Sequence, residues 1–360
     1  MTVRSIVIKG INWVGDTILT TPAISALRRG FPEAAITVVA RPWVAALLEA
    51  NEDITDVWEV DERNRLKFLA VAARMRRHRF DLGILFPNSF ASALLLALGG
   101  VRRRVGYDRD GRRFLLTDRI VVTNEILKVH QVEYYLNIVG QVCDITDSPR
   151  RLVLNVLPTE REWMSAFLQK QGVGETELLV GLNPGAHYGS AKRWFPERFA
   201  AVARYCAQHY GAKIVITGSQ YEAEIAREVA ARAEIPVLNL SGQLTLRQLA
   251  ALIARCSLYI TNDCGSMHIA AALGVPLVAI FGSTDWVTTA PYSEKAIMVR
   301  KPTDCAPCLL RECPTDHRCM EAITVDDVIQ AVDKHLQHPT PARTDTDFRC
   351  SFSTEPDHKR

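Results

Sequence analysis

The segment TNDCGSMH, residues 261–268, lies between an apolar run at 258–260 and a run of mostly small residues at 269–273. We interpret it as the turn from a buried strand into a helix, because small polar residues end strands and cap helices well. The first N–H groups of a helix have no partner within it and carry its positive dipole end, so the segment predicts an anion-binding site. Asp263 and His268 stand at the mouth of this helix, where an ordinary strand–helix connection requires neither.

The chain as a whole alternates strand-length apolar runs with helical patterns, which is typical of parallel α/β architecture. The predicted strands are residues 3–8, 36–39, 81–86, 178–182, 213–217, 237–240, 258–261 and 277–281. The predicted helices are residues 17–29, 44–50, 66–79, 132–141, 195–209, 222–233 and 246–254. A more polar interval at 155–177 separates the two halves. We therefore expect two doubly wound, Rossmann-like parallel-sheet domains, at residues 1–160 and 175–335, that face a central cleft, followed by a disordered polar tail at 336–360.

Length, charge and hydropathy narrow the class of protein. The 360 residues carry a formal net charge of +3, which does not indicate a nucleic-acid-binding protein. The first apolar run begins without a secretory leader, so we expect a cytoplasmic protein. The most apolar run, residues 91–101, is shorter than the roughly 18 residues that cross a bilayer, so any membrane contact should be peripheral.

We interpret an arginine-rich stretch at 102–119 as a solvated loop. The alternative is that its arginines bind an anionic ligand or a membrane surface.

A second turn, GINWVGDT at residues 10–17, follows the first predicted strand and opens the first helix. Its spacing imitates the phosphate-binding loop G-x-x-x-x-G-K-[ST], but Asp16 stands at the lysine position. A carboxylate would repel a triphosphate, so Asp16 fits better as a base beside a bound hydroxyl, or simply as a helix cap. The turn also lacks the G-x-G-x-x-G spacing of dinucleotide-binding oxidoreductases.

A third loop, NPGAHYGSAKRWFP at residues 183–196, follows the first strand of the second half. Its glycines expose backbone donors, and Lys192 and Arg193 add cations, an inventory that suits a diphosphate. The alternative is ordinary surface charge before a helix. Ser283 and Thr284 follow the strand at 277–281, and their hydroxyls can bond phosphate oxygens, so we expect them at the same donor site.

Taken in this order, the three segments and the cysteine-bearing segment 305–319 resemble glycosyltransferase family 9, the lipopolysaccharide heptosyltransferases, and within it the heptosyltransferase II branch. The similarity spans nearly all of residues 1–335. It implies a GT-B fold and transfer of L-glycero-D-manno-heptose from ADP-heptose, with inversion at the anomeric carbon. The implied acceptor is Kdo-lipid A or heptosyl-Kdo-lipid A, in the lipopolysaccharide inner core, and the implied location is the cytoplasmic face of the inner membrane, with peripheral association.

The resemblance also implies roles for individual residues. Asp16 would be the general base that takes the proton of the acceptor hydroxyl, and Lys192 would neutralise the diphosphate leaving group. The donor-binding residues would be Gly185, Arg193, Gln220, Glu222, Leu244, Asp263, Cys264, Gly265, His268, Ser283 and Thr284, with Leu244 against adenine and Gln220 or Glu222 at the ribose. The acceptor-binding residues would be Asn12, Trp13, Gly15 and Arg104.

An inverting displacement agrees with this placement on physical grounds. The nucleophile must lose a proton on one face while the departing phosphate is stabilised on the other, so the two groups should come from opposite domains. A lysine and a helix dipole can replace a divalent metal, and no Asp-x-Asp pair stands near the donor loops, so we expect catalysis without a metal or other cofactor.

The spacing Cys305-x2-Cys308-x4-Cys313-x5-Cys319 could hold a tetrahedral zinc ion. We favour a reduced loop without metal, and a pair of disulfides is a further alternative. Two other classes of protein stay open: another sugar-nucleotide enzyme of the same fold, such as an epimerase, and a nucleotide-binding module without catalysis.

Overall fold

A computed structural model describes residues 2–337, and within them the chain forms two parallel six-stranded sheets. The first has the order β3-β2-β1-β4-β5-β6 and the second the order β12-β11-β10-β7-β8-β9. The strands of the first sheet are β1 Ser5–Lys9, β2 Ala35–Ala40, β3 Asp56–Glu59, β4 Leu82–Leu85, β5 Arg103–Tyr107 and β6 Asp118–Ile120. Those of the second are β7 Leu179–Asn183, β8 Lys213–Ile216, β9 Val237–Asn239, β10 Leu258–Asn262, β11 Leu277–Ile280 and β12 Ala296–Val299. The predicted α/β class with two doubly wound sheets is confirmed.

The two sheets share one topology, in which the strand order reverses direction between β1 and β4 and again between β7 and β10. Ile6 of β1 pairs with Ile36 and Leu82 on its two sides, and Val180 of β7 pairs with Leu258 of β10. Doubly wound sheets bind ligands outside the carboxyl ends of their strands at such a reversal. The turns that follow β1, β7 and β10 are the three segments identified in the sequence.

Helices cover both faces of both sheets. They are α1 Val14–Leu19, α2 Thr21–Gly30, α3 Pro42–Leu48, α4 Arg65–His78, α5 Phe90–Leu98, α6 Gln131–Val139, α7 Pro158–Lys170, α8 Pro196–Tyr210, α9 Ala223–Ala233, α10 Leu246–Arg255, α11 Gly265–Ala272, α12 Trp286–Thr289, α13 Arg318–Glu321 and α14 Val325–Leu336. A single apolar core continues from the first half into the second, because α1 packs on α11 and α10 packs on both α3 and α7. Helices α4 and α5 lie on the opposite face of the first sheet, over a core of their own.

The single helix predicted at 17–29 is wrong, because the structure divides it into α1 and α2 at Thr20. Pro22 has no N–H to donate to the carbonyl of Ile18, so a continuous helix would lose that bond. The hydroxyl of Thr21 replaces it by donating to Ile18 O at 2.7 Å, and the neighbouring Thr20 hydroxyl donates to Thr17 O at 2.7 Å. Helix α1, which carries Asp16 in its first turn, therefore ends at Leu19, before α2 begins.

The solvated loop predicted at 102–119 is also corrected, because this stretch contains β5 and β6. Both strands lie towards the edge of the sheet and are rich in charged residues, which hid them from a hydropathy pattern. Within the stretch Arg112 is fully buried and donates to the Tyr107 carbonyl at 3.0 Å and to Asn88 Oδ1 at 3.2 Å. The predicted tail lies outside the described residues except for 336 and 337. None of the helices between residues 2 and 337 has the length and apolar content needed to span a bilayer.

Candidate active site

The first turns of α1 and α11 meet at the junction of the two halves, and glycines permit the contact. A Cβ on Gly15 would lie 2.6 Å from Cδ2 of His268, and a Cβ on Gly265 would lie 3.0 Å from Cβ of Val14. Any larger residue at Gly15 would push the halves apart or displace the imidazole. The structure thus brings together the segments 10–17 and 261–268, which the sequence separates by most of the chain. We refer to Asp16, Lys192, Asp263, His268 and Thr284 as the central site.

Asp16 is a partly buried carboxylate that responds to charges from the other half of the chain. Burial raises its pKa to about 6 and the negative charge of Asp263 adds to this, while Lys192 and a hydrogen bond from the Tyr135 hydroxyl lower it. Tyr135 lies on α6, and its ring is fixed edge-on by Phe86 at 5.4 Å and Tyr134 at 5.7 Å. A pKa near 6 leaves the group ionised at neutral pH while it remains a competent proton acceptor.

Lys192, Asp263 and Thr284 form one buried cluster in the second half. Lys192 Nζ lies 2.7 Å from Asp263 Oδ2, and the Thr284 hydroxyl donates to the same oxygen at 2.7 Å. The Lys192 ammonium also lies 4.9 Å from the ring centroid of Tyr188. Since Lys192 is only 14% exposed, these partners hold its charge in a fixed position beside the start of α11.

His268 is a buried, neutral imidazole in the first turn of α11. Burial lowers its pKa to about 4, while the carboxylate of Asp263 opposes this shift and the neighbouring His130 and Lys192 add to it. Its Nδ1 atom is buried and has no hydrogen-bond partner among the described residues. A buried polar atom without a partner costs free energy, so Nδ1 is suited to bond an incoming ligand.

Glu222 and Gly185 are also brought together in the second half. The carboxylate of Glu222 lies against Gly185 so closely that a Cβ would not fit there. Ser219 holds this carboxylate through its backbone N–H and its hydroxyl, each at 2.7 Å. Gln220 is exposed, with its side chain against Gly242.

Four further predicted donor residues surround this region. Leu244 is half-buried against the shared core. Arg193 donates to the Ala186 carbonyl at 3.4 Å, while its buried Nε has no partner among the described residues. The hydroxyl of Ser283 is likewise buried without a partner in the described part of the chain. Cys264 is engaged internally, since its sulfur lies 3.1 Å from the hydroxyls of Thr261 and Ser266, and burial raises its pKa.

The first half lines the junction with polar and aromatic groups. Trp13 is 50% exposed, and its ring lies 6.0 Å from that of His187 in the second half. The Asn12 amide donates to Glu62 at 3.4 Å, and its carbonyl oxygen is buried with no partner among residues 2–337. Arg104, the fourth predicted acceptor-binding residue, is not brought to this junction. Its guanidinium donates instead to the carbonyls of Val101 and Leu115 at 2.6 Å each.

Sequence reasoning missed several residues that act at this junction. Tyr135 bonds Asp16 from α6, and His130 at the start of the same helix lies 2.9 Å through Nε2 from the Ala290 carbonyl of the second half. Glu62 lies 3.2 Å from the fully buried Lys9 and 3.6 Å from Arg41. No local motif marks these residues, since each contact joins segments that are remote in the chain. The one available signal was Lys9, a lysine at the end of an apolar strand, which would need an acidic partner if buried.

The cysteine-bearing segment packs, mainly through its backbone, on the loops that the sequence predicts to bind the donor. Leu309 N donates to Ser283 O at 2.8 Å, Tyr188 donates to Leu309 O at 2.9 Å, and Ala191 N donates to Arg311 O at 3.0 Å. The eight cysteines between residues 2 and 337 are free thiols. In the same range no group of three or more His, Cys, Asp or Glu side chains could hold a metal ion.

Comparison with known proteins connects this geometry to one family of enzymes. The family model for glycosyltransferase family 9 (heptosyltransferase) matches residues 68–318. Lipopolysaccharide heptosyltransferase 2 of Escherichia coli strain K12 is 32% identical over 311 residues, which cover 82% of this chain and 87% of that protein. The structure of E. coli ADP-heptose lipopolysaccharide heptosyltransferase II superposes with a TM-score of 0.79 at 29% identity, covering 92% of this chain and 98% of that one.

A glycosyltransferase family 9 protein of Veillonella parvula superposes with a TM-score of 0.83 at 27% identity, covering 94% of this chain and 99% of that one. Because these matches span nearly the full length of both chains, the predicted GT-B arrangement of two Rossmann-like sheets is confirmed.

Proposed function

The chain belongs to glycosyltransferase family 9, the heptosyltransferases, and from this premise we propose how it transfers a heptose from ADP-heptose to the inner core of lipopolysaccharide. One observation carries the proposal: Asp16 of the first half shares its electrostatic environment with Lys192 and Asp263 of the second. A base and a cation from opposite halves are what a displacement between two bound sugars requires. In this scheme residues 1–160 bind the acceptor and residues 175–335 bind the donor.

The donor diphosphate lies beside the start of α11 and Lys192. The positive end of the helix dipole and the ammonium group stabilise the negative charge that develops on ADP as it leaves. His268 Nδ1 and the Ser283 hydroxyl, both without partners in the described chain, supply further hydrogen bonds. Asp263 holds Lys192 in place through their ion pair, and the Lys192 ammonium also attracts the diphosphate. These groups support catalysis without a divalent metal.

The adenosine end of the donor lies towards Gly185, Glu222 and Leu244. Gly185 lets the backbone approach the ligand closely. Ser219 fixes the carboxylate of Glu222 in position, and this carboxylate accepts hydrogen bonds from the ribose hydroxyls. Leu244 offers an apolar surface to adenine.

Asp16 acts as the general base. It takes the proton of the acceptor hydroxyl while the acceptor oxygen bonds to the anomeric carbon, and the bond from that carbon to the diphosphate oxygen breaks. Because the acceptor and the diphosphate lie on opposite faces of the heptose, the configuration at the anomeric carbon inverts. Tyr135 donates to the same carboxylate and keeps it oriented. Asn12, Trp13 and Gly15 lie beside this carboxylate and contact the acceptor sugar.

The acceptor is a Kdo-bearing lipid, either Kdo-lipid A or its heptosylated form, so we place the protein at the cytoplasmic face of the inner membrane with peripheral attachment. The similarity to proteins named heptosyltransferase 2 favours addition of the second heptose.

The test incubates the protein with ADP-heptose and a Kdo-terminated acceptor, with and without a first heptose, and measures ADP release and acceptor mass. We expect ADP release that depends on the acceptor, with a mass gain of one heptose. Donor binding without transfer would indicate a non-catalytic module, and acceptor-independent change of the donor sugar would indicate an epimerase. The variant Asp16→Asn tests the general base in the same assay and should release little ADP. Its control is Asp147→Asn, the same chemical change at an exposed aspartate of the first half.

A further inference from the structure

Helix α4 carries an apolar stripe that no other element covers. Its core-facing side is formed by Phe68, Val71, Ala72 and Met75, which pack under the first sheet. The opposite side carries Leu66, Leu69, Ala70 and Ala73, which follow the i, i+3, i+4, i+7 spacing of one helical face and are all exposed. Leu66 is 80% exposed and Leu69 is 53% exposed.

Cations flank this stripe, and the stretch that carries them contains no acid of its own. Between residues 63 and 79 the sequence contains seven lysines and arginines and no aspartate or glutamate. Arg74 is held by Asp56 and by the ring of Trp58, and Arg76 donates to the Leu98 carbonyl. Within residues 2–337 the side chains of Arg65, Lys67 and Arg77 have neither an ion pair nor a hydrogen bond.

The position of these cations separates a binding surface from ordinary helix chemistry. Cations in the last turn of a helix complement its dipole, which accounts for Arg76 and Arg77. Arg65 and Lys67 stand in the first turn, where a cation opposes the dipole and where α4 carries no acid. Such an arrangement becomes favourable when an external anion neutralises it.

The neighbouring elements extend the same surface. Helix α5 packs beside α4, and Phe90 at its start is 42% exposed. The ring of Phe114 lies 5.9 Å from that of Phe90, and Phe114 is 73% exposed. Arg113 next to it pairs with Asp108 at 3.7 Å. Both helices begin at the carboxyl edge of the first sheet, which is also the edge that carries Asp16.

We propose that α4, together with Phe90 and Phe114, is the surface by which this protein binds an anionic phospholipid bilayer. Exposed apolar side chains between flanking cations are the pattern of a helix that lies in the interface, with its apolar side in the headgroup region and its cations on lipid phosphates. The inference rests on the proposed function, in which the acceptor is anchored in a bilayer by its lipid. Binding of α4 to that bilayer would place the central site beside the acceptor. A nucleic acid would use the cations but would gain nothing from Leu66 and Leu69.

The experiment measures co-sedimentation of the full chain with vesicles of phosphatidylethanolamine and phosphatidylglycerol, and with vesicles of phosphatidylcholine alone. Two variants test the surface, Leu66→Glu with Leu69→Glu, and Arg65→Glu with Lys67→Glu. The control, Arg161→Glu with Lys170→Glu, makes the same change in charge at exposed residues of α7. We expect the Arg65/Lys67 variant to bind anionic vesicles at least about 30-fold more weakly. The leucine variant should also lose binding, and the control should bind like the wild type.

Raising the salt from about 0.1 M to about 1 M shortens the Debye length from about 10 Å to about 3 Å, so wild-type binding should weaken strongly. Undiminished binding by both α4 variants, or equal loss in the control, would overturn the proposal. So would tighter binding of the wild type to duplex DNA than to anionic vesicles, with the leucine variant unaffected. Circular dichroism confirms that each variant is folded.

A water-soluble, deacylated Kdo acceptor separates this proposal from the proposed function. Both α4 variants should transfer heptose to the soluble acceptor at the wild-type rate and lose transfer to the vesicle-embedded one. If the wild type transfers to neither acceptor yet binds anionic vesicles through α4, the proposed function fails and the membrane surface stands. If the α4 variants transfer to the embedded acceptor like the wild type, the membrane surface fails and the function stands.

Discussion

Replacing Asp16 by asparagine should sharply lower turnover and stabilise the fold at the same time. The carboxylate is ionised at neutral pH in a site where burial raises its pKa from the ordinary value of 3.8 to about 6. Keeping it ionised therefore costs about 3 kcal/mol of folding free energy at pH 8, an upper value because the side chain retains some solvent access. Asparagine has the same shape and no charge, so Asp16→Asn removes that cost.

The sign of the pH dependence follows from the raised pKa. The folded chain holds the Asp16 proton more tightly than the unfolded chain does, so this group favours folding most below pH 4, and the benefit is lost as the pH rises through 6. Relative to the wild type, Asp16→Asn should thus gain up to about 3 kcal/mol at pH 8 and about half of that at pH 5. Below pH 4 the two proteins should converge.

Urea unfolding of both proteins at pH 8 and pH 5, followed by tryptophan fluorescence, measures this difference. In parallel, turnover of the variant should fall by about 10²- to 10⁴-fold while the Kd for ADP-heptose stays near that of the wild type. The Asp147→Asn control should change neither quantity. A variant that is no more stable at pH 8, or whose gain does not shrink at pH 5, would refute the electrostatic reasoning. Near-normal turnover would remove Asp16 as the base.

The remaining predictions concern the surroundings of this carboxylate. The pH profile of kcat/KM should show an acid limb near pH 6, and in Tyr135→Phe that limb should move to higher pH, because the ionised carboxylate loses a hydrogen bond; an unmoved limb would show that the tyrosine does not act on Asp16. Lys192→Gln should lower kcat/KM for ADP-heptose by at least about 10²-fold with little change in the KM of the acceptor. Initial rates at varied concentrations of each substrate measure both quantities. Parallel losses for both substrates would argue against a role of Lys192 on the diphosphate. Gly15→Ala should lower stability by about 1–3 kcal/mol in urea unfolding, because its Cβ would lie 2.6 Å from the His268 ring, and a neutral result would mean that the halves separate easily.

The three loops of the candidate site were predictable as strand–helix turns because their signals are local. Each of the three loops, at 10–17, 183–196 and 261–268, joins a strand to a helix, and short-range rules of turn and capping chemistry apply to such joints. The order of apolar runs was enough for eight of the twelve strands between residues 2 and 337, whereas β3, β5, β6 and β12 escaped it. Pro22 was visible in the sequence, but its effect on α1 depends on the Thr21 hydroxyl, which replaces the lost backbone bond to Ile18.

By itself the sequence determined the fold class and the three loops of the candidate site, with Asp16 and His268 near the starts of helices and Lys192 in the loop before α8. Only the tertiary structure decided the state of those groups: a carboxylate with a pKa near 6, a lysine paired with Asp263, and an imidazole that stays neutral. The physical reason is that turns and helix starts depend on neighbours along the chain. Burial and Coulombic interactions depend on neighbours in space. Tyr135 reaches Asp16 only after the first half has folded, and Lys192 only after the two halves have met.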